Sequence, residues 1–337
     1  MKVSVVISVF NGAKYLSETL DSILNQTINN WECWIVNDGS KDDTQSIIDD
    51  YSSKDPRFLS VYTNVGGGPY VAANIAFPRC KGEYIARIDA DDICLPARFE
   101  KQIQILDSRK NINVCGSFSY TIVEGKLIKY YKSYNTDNDF LKWKLLFHNN
   151  LIHSTMMVRK SWFKSIGFYP EKRLSQDWHI WLEAAYSNCL HIINEPLIAF
   201  RVHADQISNT SMNRQLEHGL YVSKNGLKNF LGLDIDIKSI ELIILANKGH
   251  SSSKFKNIKK SISDLNYIRR VFIKKNEFNI STTYFYKTVL MIIKSSFSHN
   301  GSIKNFHLIL FAFKNNPSII FYFFYFLIKK LYKIRSI

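Results

Sequence analysis

The chain has 337 residues, 46% of them hydrophobic, enough for one large domain or one domain with an appendage, and too apolar for a disordered chain. Its 44 basic residues outnumber 29 acidic ones, for a net charge of +15, and beyond Glu277 there is no further Asp or Glu. Lys287, Lys294, Lys304, Lys314, Lys329, Lys330, Lys333 and Arg335 stand there among apolar residues, a mixture that favours an anionic membrane surface over nucleic acid. Five scattered cysteines without a CxxC pair argue against a disulfide framework or a zinc site, and for a reducing compartment.

Residues 3–10 form a continuous apolar, β-branched run, as in a parallel strand buried on both faces. Asn11-Gly12 breaks it, and no signal-peptide cleavage pattern follows, so the catalytic part is expected in the cytoplasm. Leu16, Leu20, Ile23 and Leu24 recur at helical spacing. A second strand over 31–36 ends at Asn37-Asp38-Gly39-Ser40, and Ser40-x-x-Asp43 resembles a capping box for a helix carrying Ile47 and Ile48. A third strand is expected over 58–62, followed by Gly66-Gly67-Gly68-Pro69 and another helix. The fourth, over 84–88, stops at Asp89-Ala90-Asp91-Asp92. Strands alternating with helices predict an α/β layer structure with a mostly parallel sheet. Then come a helix over 97–106, two antiparallel strands over 114–133 around Glu124-Gly125, and a helix over 137–147. A strand over 155–158, a helix over 176–186 and a final short strand over 197–201 complete this part. Beyond about residue 205 the chain is rich in Lys, Asn and Ile and mainly helical. Two apolar, aromatic stretches, 306–313 and 319–328, flank Asn315-Asn316-Pro317. The second is about half the ~20 residues that span a bilayer, and Lys329-Lys330 follows it; the pair reads either as helices packed on the domain or as a monotopic membrane foot.

The acidic turn closes a sheet strand, where ligands bind in open α/β sheets. Asp89 and Asp91 straddle one residue, so extended backbone turns both carboxylates to one side. Such a pair suits Mg²⁺ or Mn²⁺, which keeps positions for diphosphate oxygens and neutralises a departing nucleoside diphosphate. Taken alone, an Asp-x-Asp is more often a solvated turn. A dinucleotide fold would show G-x-G-x-x-G after the first strand, whereas Phe10-Asn11-Gly12-Ala13-Lys14 has one glycine. A metal clamp is the better account.

Ser4-Val5-Val6-Ile7-Ser8-Val9-Phe10-Asn11-Gly12 with Tyr15-Leu16 resembles the opening of the family 2 glycosyltransferases. Ser22-Ile23-Leu24-Asn25-Gln26-Thr27 and Val36-Asn37-Asp38-Gly39-Ser40-x-Asp42 do so too, and the stretch from Lys81-Gly82-Glu83 through Asp92 is similar to that family's metal-binding strand and turn. The likeness covers residues 3 to about 210. It implies a GT-A fold: a Rossmann-like nucleotide-binding sheet over 1–95 joined to an acceptor-binding half over 96–210, with a helical, basic extension over 211–337. By position, Phe10 and Asn11 would lie against the base and Asp38 would bond the uracil or ribose. Asp89 would meet the ribose or an intervening water and count with the metal set, Asp91 would bind the metal, and Asp92 would shape the turn or touch the sugar. Asn64 and Arg87 join the donor-binding set. Two departures, Ala73 where the family often has Arg before the Asn at Asn74, and the shape of the glycine loop, leave the donor sugar open.

Transfer to an acceptor hydroxyl needs a base. Asp177 opens an amphipathic helix, where local sequence alone reads it as a cap or helix-dipole charge. Gln176-Asp177-Trp178-His179-Ile180-Trp181-Leu182 resembles the family's Glu-Asp-x-x-x-Trp-Leu helix, whose Asp is the base; Gln176 replaces the Glu. In the block from Ile198 to Ser208, His203 is a candidate for the metal or diphosphate and Arg201 for phosphate, while His153 and Ser154 may be expected on the acceptor side; Trp143, Trp178 and Trp181 read as core. The expectation is an inverting enzyme that moves a hexose from UDP-glucose or UDP-galactose, with Mn²⁺ or Mg²⁺, to a lipid-diphosphate-linked sugar such as GlcNAc-PP-undecaprenol. It would act at the cytoplasmic face of the inner membrane, in O-antigen or capsule repeat-unit assembly, without nucleic acid. No processive-synthase Gln-x-x-Arg-Trp is present, which favours one sugar per binding event. The alternatives are a dTDP-rhamnose transferase and a non-catalytic binder of sugar nucleotides or membrane surfaces.

Overall fold

A computed structural model of the chain describes residues 1–63, 67–128, 135–170, 176–203, 206, 212–247, 255–276 and 289. Asn64 and the apolar stretches 306–313 and 319–328 lie outside the described residues. The first strands and helices follow the hydrophobic pattern. They are β1 (Val3–Val9), α1 (Ala13–Leu24), β2 (Trp31–Asn37), α2 (Thr44–Lys54), β3 (Phe58–Tyr62), α3 (Pro69–Ala76) and β4 (Tyr84–Arg87). Every residue of β1 is buried, which is why it reads as an unbroken apolar run. β1 pairs in parallel with β2 and β4, and β2 with β3.

The second half adds antiparallel strands, among them the pair expected around Glu124-Gly125. Its elements are β5 (Ile93–Cys94), α4 (Arg98–Ser108), β6 (Val114–Val123), β7 (Lys126–Ile128), α5 (Asn138–Leu145), β8 (Met157–Arg159), α6 (Lys160–Ser165), α7 (Gln176–Tyr186) and β9 (Leu190–Val202). One mixed sheet runs β3-β2-β1-β4-β8-β6-β9-β5, with β7 paired to β6. β8 pairs antiparallel with β4 and β6, and β5 with β9, while β6 and β9 are parallel.

Three local expectations change. The capping box does not form: Asp43 makes no side-chain cap bond. Ser40 Oγ instead accepts the Asn11 amide at 2.9 Å, and the Asp42 carboxylate accepts the Ala13 amide at 3.0 Å, because this loop braces the end of β1. The strand expected over 155–158 begins at Met157, after a 3₁₀ turn at His153–Thr155 that faces these side chains inward. The final strand is 13 residues long, not a short piece over 197–201. Asn194-Glu195-Pro196 reads as a break, yet the register shifts around Phe118 absorb the proline as a bulge.

Two buried polar networks hold the strand that carries the acidic turn. Glu32, 2% exposed, accepts the Ser4 hydroxyl at 2.6 Å and the Lys81 amide at 2.5 Å. A Cβ on Gly82 would lie 2.5 Å from the Ser4 nitrogen, so only glycine fits where β4 begins. At the other end of β4, the fully buried Arg98 donates to the carbonyls of Arg87 (2.7 Å) and Met156 (3.1 Å). Gln102 donates to the carbonyls of Thr155 (2.8 Å) and Cys115 (3.0 Å).

The chain divides into two compact units, residues 1–138 with 150–215, and 139–149 with 216–337. The helix expected over 137–147 thus belongs, from residue 139, with the C-terminal helices, and the boundary falls at 215/216 rather than at 210/211. In the second unit Trp143 packs edge-on against Phe272 of the helix Phe255–Asn276, ring centroids 5.4 Å apart. Among the described residues, no helix is long and apolar enough to cross a membrane.

Candidate active site

The three carboxylates of the acidic turn have three environments. Asp92 is fully buried, and its Oδ1 accepts the Arg201 amide at 2.9 Å while its carbonyl accepts the Thr19 hydroxyl at 2.8 Å. Burial pushes its carboxyl well above the usual range, and the charges of Asp91 and Asp89 push it the same way. The Asp92 bonds tie the turn to β9 and α1. Asp91 Oδ2 stands 2.9 Å from His203 Nε2. The Asp89 amide donates to Ser154 Oγ at 3.0 Å, and its Oδ1 accepts from Arg87 Nη2 at 3.1 Å. The Asp89 side chain is 41% open to solvent; partial burial raises its carboxyl, with the Arg87 charge opposing and that of Asp91 adding.

Both arginines of the donor set lie beneath this turn. Arg87 is fully buried and also donates to the Val6 carbonyl at 2.5 Å, so it braces Asp89 from below. Arg201 donates from Nε to the Asp91 carbonyl (2.8 Å) and from Nη2 to Glu18 (2.7 Å), and lies over the Tyr15 ring at 4.4 Å. Its guanidinium, read from the sequence as a phosphate holder, is engaged in fixing the turn. The Tyr15 ring also meets that of His203, centroids 5.1 Å apart.

On the nucleotide side, Phe10 is 61% exposed at the end of β1 and open to stacking. Asn11 has φ +52°, and its side-chain oxygen accepts the Lys41 amide at 2.8 Å, so it locks the loop behind Phe10. Asp38 is buried; its amide bonds the Val9 carbonyl at 2.9 Å and its Oδ2 accepts the Gly68 amide at 3.2 Å. It ties the glycine loop to the end of β2.

On the far side, Asp177 stands in the first turn of α7. The charges of Asp177 and Asp89 both bear on the phenols of Tyr70 and Tyr169. Burial pushes both phenols well above their ordinary value, and those charges add to the effect. His153 Nε2 is hydrogen-bonded to the Tyr169 hydroxyl, and its Nδ1 stands 3.9 Å from Asp89 Oδ1. Burial, aided by Arg87 and Arg98, holds His153 well below the usual imidazole range, so it is neutral near pH 7. Asn74 brackets the Tyr169 backbone, donating to its carbonyl at 2.9 Å and accepting its amide at 3.2 Å. Trp178 and Trp181 are buried, as read from the sequence. Tyr70, Tyr169, Glu18 and Thr19 were not legible as site residues; the one local signal was Gly68-Pro69 directly before Tyr70.

The donor atoms fit a hard divalent cation in part. One carboxylate oxygen and one imidazole nitrogen converge at Asp91 and His203, while Asp89 is turned to Arg87. Among the described residues no group of three or more His, Cys, Asp or Glu forms a cage. Two protein ligands match a cation that takes its remaining ligands from phosphate and water.

The family model for glycosyl transferase family 2 matches residues 4–167. The chain is 33% identical over 223 residues to an uncharacterized glycosyltransferase of Rickettsia typhi, covering 64% of this chain and 69% of that one. It is 30% identical over 241 residues to the O-antigen biosynthesis glycosyltransferase WbnJ of Escherichia coli, covering 68% and 92%. The crystal structure of S. aureus TarS 1-349 in complex with UDP-GlcNAc has the same fold, with TM-score 0.60 and 17% identity over 95% of this chain and 90% of that one.

Proposed function

The chain belongs to glycosyl transferase family 2 and is a sugar transferase of the GT-A fold; from that premise we propose that it moves a hexose, with inversion, from UDP-glucose or UDP-galactose to a lipid-diphosphate-linked sugar such as GlcNAc-PP-undecaprenol. What supports the reading is a cluster at the acidic turn: His153 Nδ1 stands 3.9 Å from Asp89 Oδ1 and its Nε2 is hydrogen-bonded to the Tyr169 hydroxyl, and the charges of Asp89 and of Asp177, in the first turn of α7, both raise the phenols of Tyr70 and Tyr169. In this reading donor and base share one crevice. Asp177 takes the proton of the acceptor hydroxyl as its oxygen bonds the anomeric carbon, and the bond from that carbon to the diphosphate oxygen breaks, its electron pair leaving with UDP. Attack from the face opposite the nucleotide gives a β-linkage. Phe10 stacks on the base, Asp38 bonds the uracil or ribose, and Asp89, braced by Arg87, meets the ribose. Mn²⁺ or Mg²⁺ held by Asp91 and His203 would neutralise charge on the departing diphosphate.

The likeness to an O-antigen biosynthesis glycosyltransferase supports a place in O-antigen or capsule repeat-unit assembly. A lipid-linked acceptor would bring the enzyme to the cytoplasmic face of the inner membrane. The helix Phe255–Asn276 supports this: its buried face is Ile262, Leu265, Ile268 and Phe272, and the opposite edge exposes Lys260, Tyr267, Arg270 and Lys274. The test is a screen of nucleotide sugars with Mn²⁺ and a synthetic lipid-diphosphate GlcNAc acceptor, read by mass spectrometry. A product one hexose heavier is expected with UDP-glucose or UDP-galactose. Product from dTDP-rhamnose alone, or from no nucleotide sugar, overturns the donor.

A further inference from the structure

Tyr70 has no part in the acidic turn, in the base helix or in the nucleotide loop, yet its ring packs on His153, whose Nδ1 stands 3.9 Å from Asp89 Oδ1. Pro69 fixes the first helical position of α3, so Tyr70 leaves a defined first turn. Its ring packs edge-on against Tyr169 (centroids 5.3 Å apart, interplanar angle 75°) and at a tilt against His153 (5.7 Å, 42°). One turn on, Asn74 grips the backbone of Tyr169, so the same face of α3 holds the wall to which Tyr70 belongs. Ala73, which departs from the family's usual Arg, is fully buried and carries no polar side-chain atom. The polar group that α3 offers to the crevice is therefore the Tyr70 hydroxyl.

The chemistry of the crevice gives that hydroxyl a purpose. Carboxylates such as Asp89 and Asp177 accept hydrogen bonds and donate none. A hexose between them offers hydroxyls that each donate one hydrogen bond and still have lone pairs to fill. A neutral donor is what such a hydroxyl lacks. Burial, with the charges of Asp177 and Asp89, keeps the Tyr70 phenol protonated across the working pH range. The His153 and Tyr169 rings restrict its rotamer, so the direction of donation is set before the sugar arrives.

We propose that Tyr70 is a sugar-orienting residue: its hydroxyl donates a hydrogen bond to a hydroxyl of the transferred hexose between Asp89 and Asp177, and its ring walls that subsite. The proposal rests on the sugar-nucleotide transferase reading. The test compares wild type with Tyr70→Phe, which removes one oxygen and keeps the ring. Affinities for UDP, UDP-glucose and UDP-galactose are measured with Mn²⁺ by calorimetry, thermal melting serves as a fold check, and kcat/KM is read with whichever hexose transfers. The expected result is an unchanged melting point and UDP affinity, with affinity for the transferred UDP-hexose, or its kcat/KM, lower by about 10- to 100-fold, as for a buried hydrogen-bond partner left unmatched. Tyr70→His, which restores a ring donor, should recover part of the loss. UDP-hexose binding and turnover within twofold of wild type, or an equal loss for UDP and UDP-hexose, overturns the assignment. Wild type that binds neither UDP nor any UDP-hexose overturns the donor reading itself, and the role of Tyr70 with it.

Discussion

Asp177 has two duties available to it: a charge at a helix N-terminus, worth a few tenths to about 1 kcal/mol, and a base toward an acceptor hydroxyl. Asp177→Asn separates them, because the amide keeps the size of the side chain and loses the proton acceptor. Turnover should fall by about 10²- to 10⁴-fold with donor affinity and melting point near wild type. Retained turnover would move the base elsewhere. The residues of the acidic turn teach a related lesson. Neighbours in sequence, Asp91 and Asp92, have opposite settings, one beside His203 and one sealed under the Arg201 amide. Spacing showed that an acidic turn ends β4, but not which carboxylate points inward, since that depends on β9 arriving from more than a hundred residues away.

At the scale of elements, the ends of β4 and β8 are fastened by one side chain from α4. Replacing Arg98 with Met keeps the volume but leaves the carbonyls of Arg87 and Met156 without their donor, and should cost about 3 kcal/mol in urea or thermal unfolding. A loss below about 1 kcal/mol would mean that water replaces the guanidinium. A surface cluster joins the starts of β1 and β4 to α4: Lys2 Nζ bonds Glu83 at 2.8 Å and Asp107 at 3.0 Å. The Lys2 ammonium holds the Glu83 carboxyl below its ordinary 4.5. A lowered folded value means that this contribution is complete above about pH 4.5 and is lost as pH falls through the folded value. Melting points of wild type and Glu83→Gln should therefore differ at pH 7 and converge as pH falls through the folded value. A gap that persists at pH 3 would assign the effect to packing. Elements with one clear pattern, such as β1 and α7, were legible in the sequence, the latter to its end residues, Gln176 and Tyr186. The first half of β9 was not, because Pro196 signals a stop and only the partner strand β6 supplies the register shift that accommodates it. The inward turn at His153 was hidden for a like reason: its hydrogen-bond partner is Tyr169, in a loop with no pattern of its own.

At the scale of the whole molecule, the segment 139–149 belongs to the C-terminal unit although the chain returns from it to finish the sheet. Phe140, Leu141, Trp143, Leu145, Leu146 and Phe147 are all buried there, Trp143 against Phe272. A chain stopped after residue 215 keeps these side chains and loses their cover. It should elute as aggregates in size-exclusion chromatography and bind a hydrophobic dye, whereas further removal of 139–149, bridged by a short Gly/Ser linker, should restore a monodisperse peak. Monodisperse behaviour of the simple truncation would show that the sheet unit can cover this segment alone.

The same detour bears on how such a chain can diverge. A recombination event with a single breakpoint near residue 215 would pair a new C-terminal unit with an old plug, matched in shape to helices no longer there. Exchange of that unit between relatives requires two coordinated crossovers, so the sheet with its crevice and the basic helices should be inherited together and acquire their specificities in step.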